Sequence, residues 1–294
     1  MKKIKKLFSI LSLCLVTSLA SNGSIVLANT NNEKNYDRQT KELIEKFPSF
    51  KESLEKYTTG ELVSSEEVYI RYTPKTEELK KEYKTKEEVN KDFIVEEFTR
   101  EEYEVESKKE ELKEVIRGIG SQETTPSSWI RVDLQVYYGD PSIQSDYMAY
   151  NFSSWLKDPY LRLTDAIGIS LSNGLIISGN ASTRAAEYHY YDPYYPGGDR
   201  VERLVVKANN EGKNGVLATF NLDNGNPSST LYHNAMIQTG VNFVGSGYNQ
   251  GWINGHYVHK ELGFGDISIG TDGRPSISAG TKYDQHQSSI HVSR

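Results

Sequence analysis

The six histidines of this 294-residue chain, at positions 189, 233, 256, 259, 286 and 291, offer its widest chemical range. Imidazole titrates near neutrality and ligates transition metals. His256 and His259 are three positions apart, an odd offset that puts them on opposite faces of a strand. His286 and His291 are also oddly spaced. Neither pair can share a metal unless its strand bulges, and no HExxH motif is present. The spacing favours ordinary, partly buried histidines.

Other chemistry is weaker still. Gly245-Ser246-Gly247 offers a serine on a turn, but Val244 stands where the GxSxG elbow needs glycine, so a Gly-Ser loop is the simpler reading. Asp133, Glu187 and Glu202 fall on expected strands. Glycoside hydrolysis needs two carboxylates facing each other at about 5–10 Å, which spacing alone does not establish, and Asp133 and Glu202 fit the wet faces of their strands. The loops 192–199 (DPYYPGGD) and 223–226 (DNGN) collect oxygen ligands of the kind calcium takes. They lack EF-hand spacing, and Asp, Asn and Gly are also plain turn formers. No cofactor is expected, with calcium the one the loops leave open. The sequence points to no catalytic residue. A candidate recognition surface comes from the aromatics Tyr190, Tyr194, Tyr195, Trp252 and Tyr257, whose rings pair an apolar face with a polar tip. Tyr188 and Tyr190 alternate with His189 and Tyr191, so one side of that strand belongs to the core.

The elements that must carry these side chains are strands. In WIRVDLQVYY, residues 129–138, Ile130, Val132, Leu134, Val136 and Tyr138 alternate with Arg131, Asp133, Gln135 and Tyr137. That pattern predicts a strand with one face buried and one wet. Short strands follow at close spacing, separated by Gly- and Asn-rich turns. Ser172-Asn173-Gly174 and Asp272-Gly273 read as hairpin turns. Residues 129–294 are thus expected to form an antiparallel sandwich or barrel, mainly β.

Residues 29–120 differ in texture, being dense in charge and poor in glycine. They are expected to form a mainly helical or small α+β segment: a helix over 36–57 interrupted by Pro48, strands near 68–72 and 92–98, and a capped helix from Thr99. The segment is either a pro-region or a solvated helical attachment. Residues 121–128, rich in Ser, Thr and Pro, read as a linker.

Residues 1–28 read as a secretory signal: Lys2, Lys3, Lys5 and Lys6, an apolar stretch from Leu7 to Ala20, then Val26-Leu27-Ala28 before Asn29. Cleavage is expected between Ala28 and Asn29, with an earlier cut after Ala20 as the alternative. The only cysteine, Cys14, would leave with it, removing disulfides, thiol chemistry and Cys-based metal sites. Loss of the four lysines takes the net charge from −6 to −10. So acidic a chain lacks the footprint of a nucleic-acid binder. No later apolar run is long enough for a transmembrane segment.

The stretches WIRVDLQVYYGD, YMAYNFSSWLKDP, TDAIGI and GHYVHKELGFGDISI resemble an uncharacterised family of secreted Gram-positive, Bacillus-type proteins. The likeness spans roughly residues 60–294. It implies a signal peptide, a charged N-terminal segment and a β-rich C-terminal domain, and it brings no activity and no catalytic residues. The function expected is that of a secreted, extracellular, non-enzymatic protein binding at a cell envelope or to an extracellular ligand. The alternatives are a β-rich, membrane-acting toxin or bacteriocin-like protein, and a cell-wall or polysaccharide hydrolase.

Overall fold

A computed structural model describes residues 36–75, 93–117, 127–157, 159, 162–172, 174–194, 196–208, 214–222, 231–262, 266–278 and 282–294. The expected signal segment, with Ala28 and Asn29, lies outside the described residues, as do Tyr195 and the loop 223–226. Residues 36–294 form one compact unit.

Among the described residues the first elements are two helices, α1 (Arg38–Lys46) and α2 (Pro48–Tyr57). Asp37 caps α1 by accepting from the Thr40 amide. Pro48 ends the first helix and starts the second: it cannot donate within a helix but suits a first helical position. Strand β1 (Thr58–Pro74) follows, then β2 (Phe93–Phe98) and helix α3 (Arg100–Arg117). The Thr99 amide donates to Glu102 Oε2 while the Glu102 amide donates to Thr99 Oγ1, a reciprocal capping box at the start of α3.

The remaining strands are β3 (Ser128–Gly139), β4 (Tyr147–Lys157), β5 (Thr164–Leu171), β6 (Leu175–Ile177), β7 (Ala185–Tyr191), β8 (Asp199–Arg203), β9 (Lys207–Ala208), β10 (Gly215–Asn221), β11 (Leu231–Phe243), β12 (Gln250–Leu262), β13 (Ile267–Ile269), β14 (Pro275–Ile277) and β15 (Lys282–Ser293). The chain is mainly β, and its sheets are antiparallel. One sheet runs β2-β1-β3-β4-β11-β7-β8, with β6 also on β11. A second runs β15-β12-β5-β10-β9, and β13–β14 is a separate hairpin.

The two large sheets share a core. Ile130, Val132, Leu134 and Val136 from β3 meet Ile167 and Ile169 from β5, Val216 from β10, and Ile253 and Tyr257 from β12. The outer face of the first sheet is covered by α1 and α2: Leu43, Phe47, Phe50 and Leu54 pack on Tyr137, Met148, Tyr150 and Phe152. The β13–β14 hairpin covers part of the second sheet, where Ile267 packs on Ala166, Leu217 and Val258.

Three expectations meet a different arrangement. The wet face of residues 129–138 is not wet: Arg131, Asp133, Gln135 and Tyr137 are all buried beneath α1. The turn at 172–174 does not close a hairpin. Leu175 N–H donates to Ser172 O, but β5 joins the second sheet and β6 the first, so the turn carries the chain between layers. Finally, β1 from the charged N-terminal stretch lies inside the first sheet, between β2 and β3, in register from Ser64 opposite Val136 to Tyr72 opposite Ser128.

Candidate functional site

Charged groups gather first under α1. Arg131 is held by Glu42 (2.9 Å), Glu67 (2.5 Å) and Asp133 (2.7 Å), and Arg100 joins from α3 onto Glu42 and Glu67. Burial pushes the Asp133 carboxyl up to about 6, against the pull of Arg131. Burial also raises the Glu42 carboxyl, but Arg100 and Arg131 outweigh that and hold it at about 2. Lys46 is lowered to about 8, first by burial and then by Arg131. Arg100, Arg131, Glu42, Glu67 and Asp133 each have an opposite partner at hydrogen-bond distance, and α1 closes the assembly from outside. This is a cross-link between a helix and a sheet. Asp133, expected on a wet strand face, is wholly buried here. Glu202 does sit exposed on β8, and Glu187 is half-buried against His189 and Ser49.

A second polar group lies at one end of the core. Asp165 accepts from the Tyr257 hydroxyl and sits 2.9 Å from His259 Nδ1, while Tyr72 OH meets His286 Nε2 at 3.1 Å and His286 Nδ1 meets Glu97 at 2.9 Å. The His259 ring packs against Tyr72 and Trp155. An Asp-oriented imidazole is an acid–base arrangement in principle, but both members are buried among aromatic rings. His256 points to the opposite face of β12 and pairs with Ser170 at 2.7 Å. Burial, aided by the Arg274 charge, lowers its imidazole to about 4. Among the described residues no group of three His, Cys, Asp or Glu side chains converges to hold a metal ion.

In the described part of loop 192–199, Asp192 accepts from the Tyr194 amide and its own amide donates to Gly198 O, which is turn chemistry. Gly245, Ser246 and Gly247 lie in an exposed turn.

The expected aromatic surface divides. Tyr257 is 0% exposed and bonded to Asp165, so its place in a recognition surface is corrected: its strand position faces the shared core. Tyr190 is half-buried, stacked on Tyr188 at 5.0 Å and packed on the core. Tyr194 is 77% exposed.

Trp252, on β12, is 48% exposed and meets His291 of β15 edge-on at 5.0 Å. Its amide donates to Ser172 Oγ. Tyr248, 50% exposed, rests its ring over Gly174, whose φ of +97° is a glycine conformation and where a Cβ would stand 2.9 Å from Tyr248 Cδ1. Trp252 and Tyr248 are therefore both seated on the turn that carries the chain between the sheets. Arg294 steadies the loop below Tyr248, donating from its backbone to Asn249 O and from its guanidinium to Gly245 O. Tyr248 escaped the sequence reading; its signal is a lone aromatic within the glycine-rich run GSGYNQG.

No helix among the described residues is long and apolar enough to cross a membrane. No family model and no curated protein matches the chain. Among solved structures the chain is similar to a collagen-binding domain from a Staphylococcus aureus adhesin, at 11% identity and a TM-score of 0.26, covering 48% of this chain and 86% of that one. It is also similar to Clostridium perfringens delta-toxin, at 7% identity and a TM-score of 0.23, covering 59% and 88%. A third likeness is to a pore forming protein, at 10% identity and a TM-score of 0.25, covering 58% and 94%. At such scores these likenesses carry no argument about what the chain does.

Proposed function

We propose that this chain is a secreted, extracellular protein of the Gram-positive, Bacillus-type family it resembles, binding without catalysis at a cell envelope through the aromatic platform of Trp252 and Tyr248. The observation that carries this reading is the way the two rings are held. Large, half-exposed aromatics on a fixed backbone supply contact area at little cost in conformational entropy. Trp252 is fixed by a strand pairing, a hydrogen bond from its backbone N–H to Ser172 Oγ and the His291 ring. Tyr248 is fixed by Gly174. Asp133 lies buried under α1, and the Asp165–His259 pair lies buried in the core. An envelope polysaccharide fits this platform, because sugar rings present C–H faces that stack on aromatics while their hydroxyls stay wet.

The test is retention of the full chain on purified Gram-positive cell wall, compared with W252A and Y248A. Retention by the wild type, lost in both variants with unchanged melting temperatures, is the expected result. Equal retention of all three removes the platform from the reading. Dye release from liposomes would favour a membrane-acting protein, and loss of cell-wall turbidity would favour a hydrolase.

A further inference from the structure

A cleft of 490 Å³ opens on the outer face of the first sheet, between α2 and the β7–β8 edge. Its volume is that of a small-molecule site. Met236, Leu204 and Val206 give it apolar walls, and three cations line it: Lys56 from α2, Arg184 just before β7, and Arg203 at the end of β8.

The pairing of these cations sets them apart. Arg38, Arg71, Arg100, Arg131, Arg274 and Arg294 each sit in an ion pair with a carboxylate. Arg184 and Arg203 form none with any described residue. The Arg184 Nε is moreover buried without a hydrogen-bond partner, and a buried donor left unpaired asks for an acceptor. In a chain with six more acidic than basic residues, two guanidiniums in one cleft without a contact ion pair among the described residues are not explained by a shortage of carboxylates. Glu187 also lines the cleft and is the cross-strand partner of Arg203, whose charge helps to lower its carboxyl, but no ion pair forms, and the carboxylate is engaged by the Ser49 hydroxyl and by His189 at 2.8 Å. Glu52, also on the cleft lining, lies exposed on α2.

We propose that this cleft binds a small oxyanion-bearing molecule, a carboxylate or a phosphate ester, with Arg184 and Arg203 gripping the anionic group, Lys56 at the mouth, and the rest of the ligand against Met236, Leu204 and Val206. Guanidinium forks suit both head groups. The site is separate from the Trp252 platform and does not depend on it.

Calorimetric titration of the full chain with sodium glucuronate, inorganic phosphate and uncharged glucose tests it. Saturable one-to-one binding of at least one anion, and none of glucose, is expected; which anion wins identifies the head group. R184Q and R203Q should each weaken binding roughly tenfold or more, while W252A binds as the wild type does. Arg203 is exposed on an edge strand, so R203Q reads the site even if R184Q fails to fold. Absence of saturable binding by both anions, or binding that R203Q leaves unchanged with its melting temperature intact, overturns the proposal.

Discussion

Gln39 of α1 donates its side-chain amide to the carboxylate of Asp133 on β3 at 2.8 Å, across 94 positions of sequence. The same side chain accepts from the Ser65 hydroxyl on β1, so one residue ties the first helix to two strands. We expect Gln39→Ala to cost about 1–2 kcal/mol, the loss of bonds to a buried charged group. Thermal unfolding checks this, and an unchanged transition would show that α1 is held by Leu43 and its apolar neighbours alone.

His256 gives the fold an acid-sensitive element. Its imidazole is lowered from an ordinary 6.5 to about 4, so the native state resists protonation that the unfolded chain accepts. Stability from this group is present above pH 6.5 and is lost as pH falls towards 4, by a few kcal/mol at most, or about 1.4 kcal/mol per unit. His256→Gln, which can keep a bond to Ser170, should flatten the stability profile between pH 6.5 and 4. A variant with the wild-type slope would place the acid sensitivity elsewhere.

Asp165 is fully buried and is met by the Tyr257 hydroxyl, His259 and the Lys260 amide. Asp165→Asn keeps the shape but puts a donor where three groups expect an acceptor. We expect destabilisation of about 3 kcal/mol or more, read as a drop in the denaturant midpoint. A neutral result would mean the cluster repacks around an amide.

Cleavage between α3 and β3 separates β1 and β2 in sequence from the strands they pair with. Because β1 lies between β2 and β3, with Ile70 and Tyr72 in the common core, we expect the two pieces of a nicked chain to stay together. Size exclusion of the nicked protein without denaturant should give one peak containing both fragments. Two separate peaks would make residues 36–117 a removable pro-region.

Much of this architecture was legible because its signals are local. The capping box needs only Thr99 and Glu102, and Asp272-Gly273 does close a short hairpin, with Gly270 N–H donating to Arg274 O. What failed depended on distant chain. The alternation of residues 129–138 correctly assigned Ile130 to Val136 to the core, but nothing within ten residues reveals that α1 arrives to cover Arg131 and Asp133. The Ser172–Gly174 turn has hairpin chemistry, yet its flanking strands find better partners in β12 and β11. Tyr257 looked like a neighbour of Trp252 on one surface, but five positions on a strand put them on opposite faces. The anion cleft was invisible for a similar reason: Lys56, Arg184 and Arg203 come together only when α2 lies on the sheet beside β7 and β8.

The contact between Tyr72 and His286 closes a span of 214 residues. Long-range pairings of this kind slow folding, because chain entropy is spent before the contacts repay it. A chain that emerges from its N-terminus holds β1 and β3 early but must wait for β15 before the core between the sheets is sealed. Until then both layers expose apolar faces and open strand edges, so chaperone demand during synthesis should rise with the time taken to release β15.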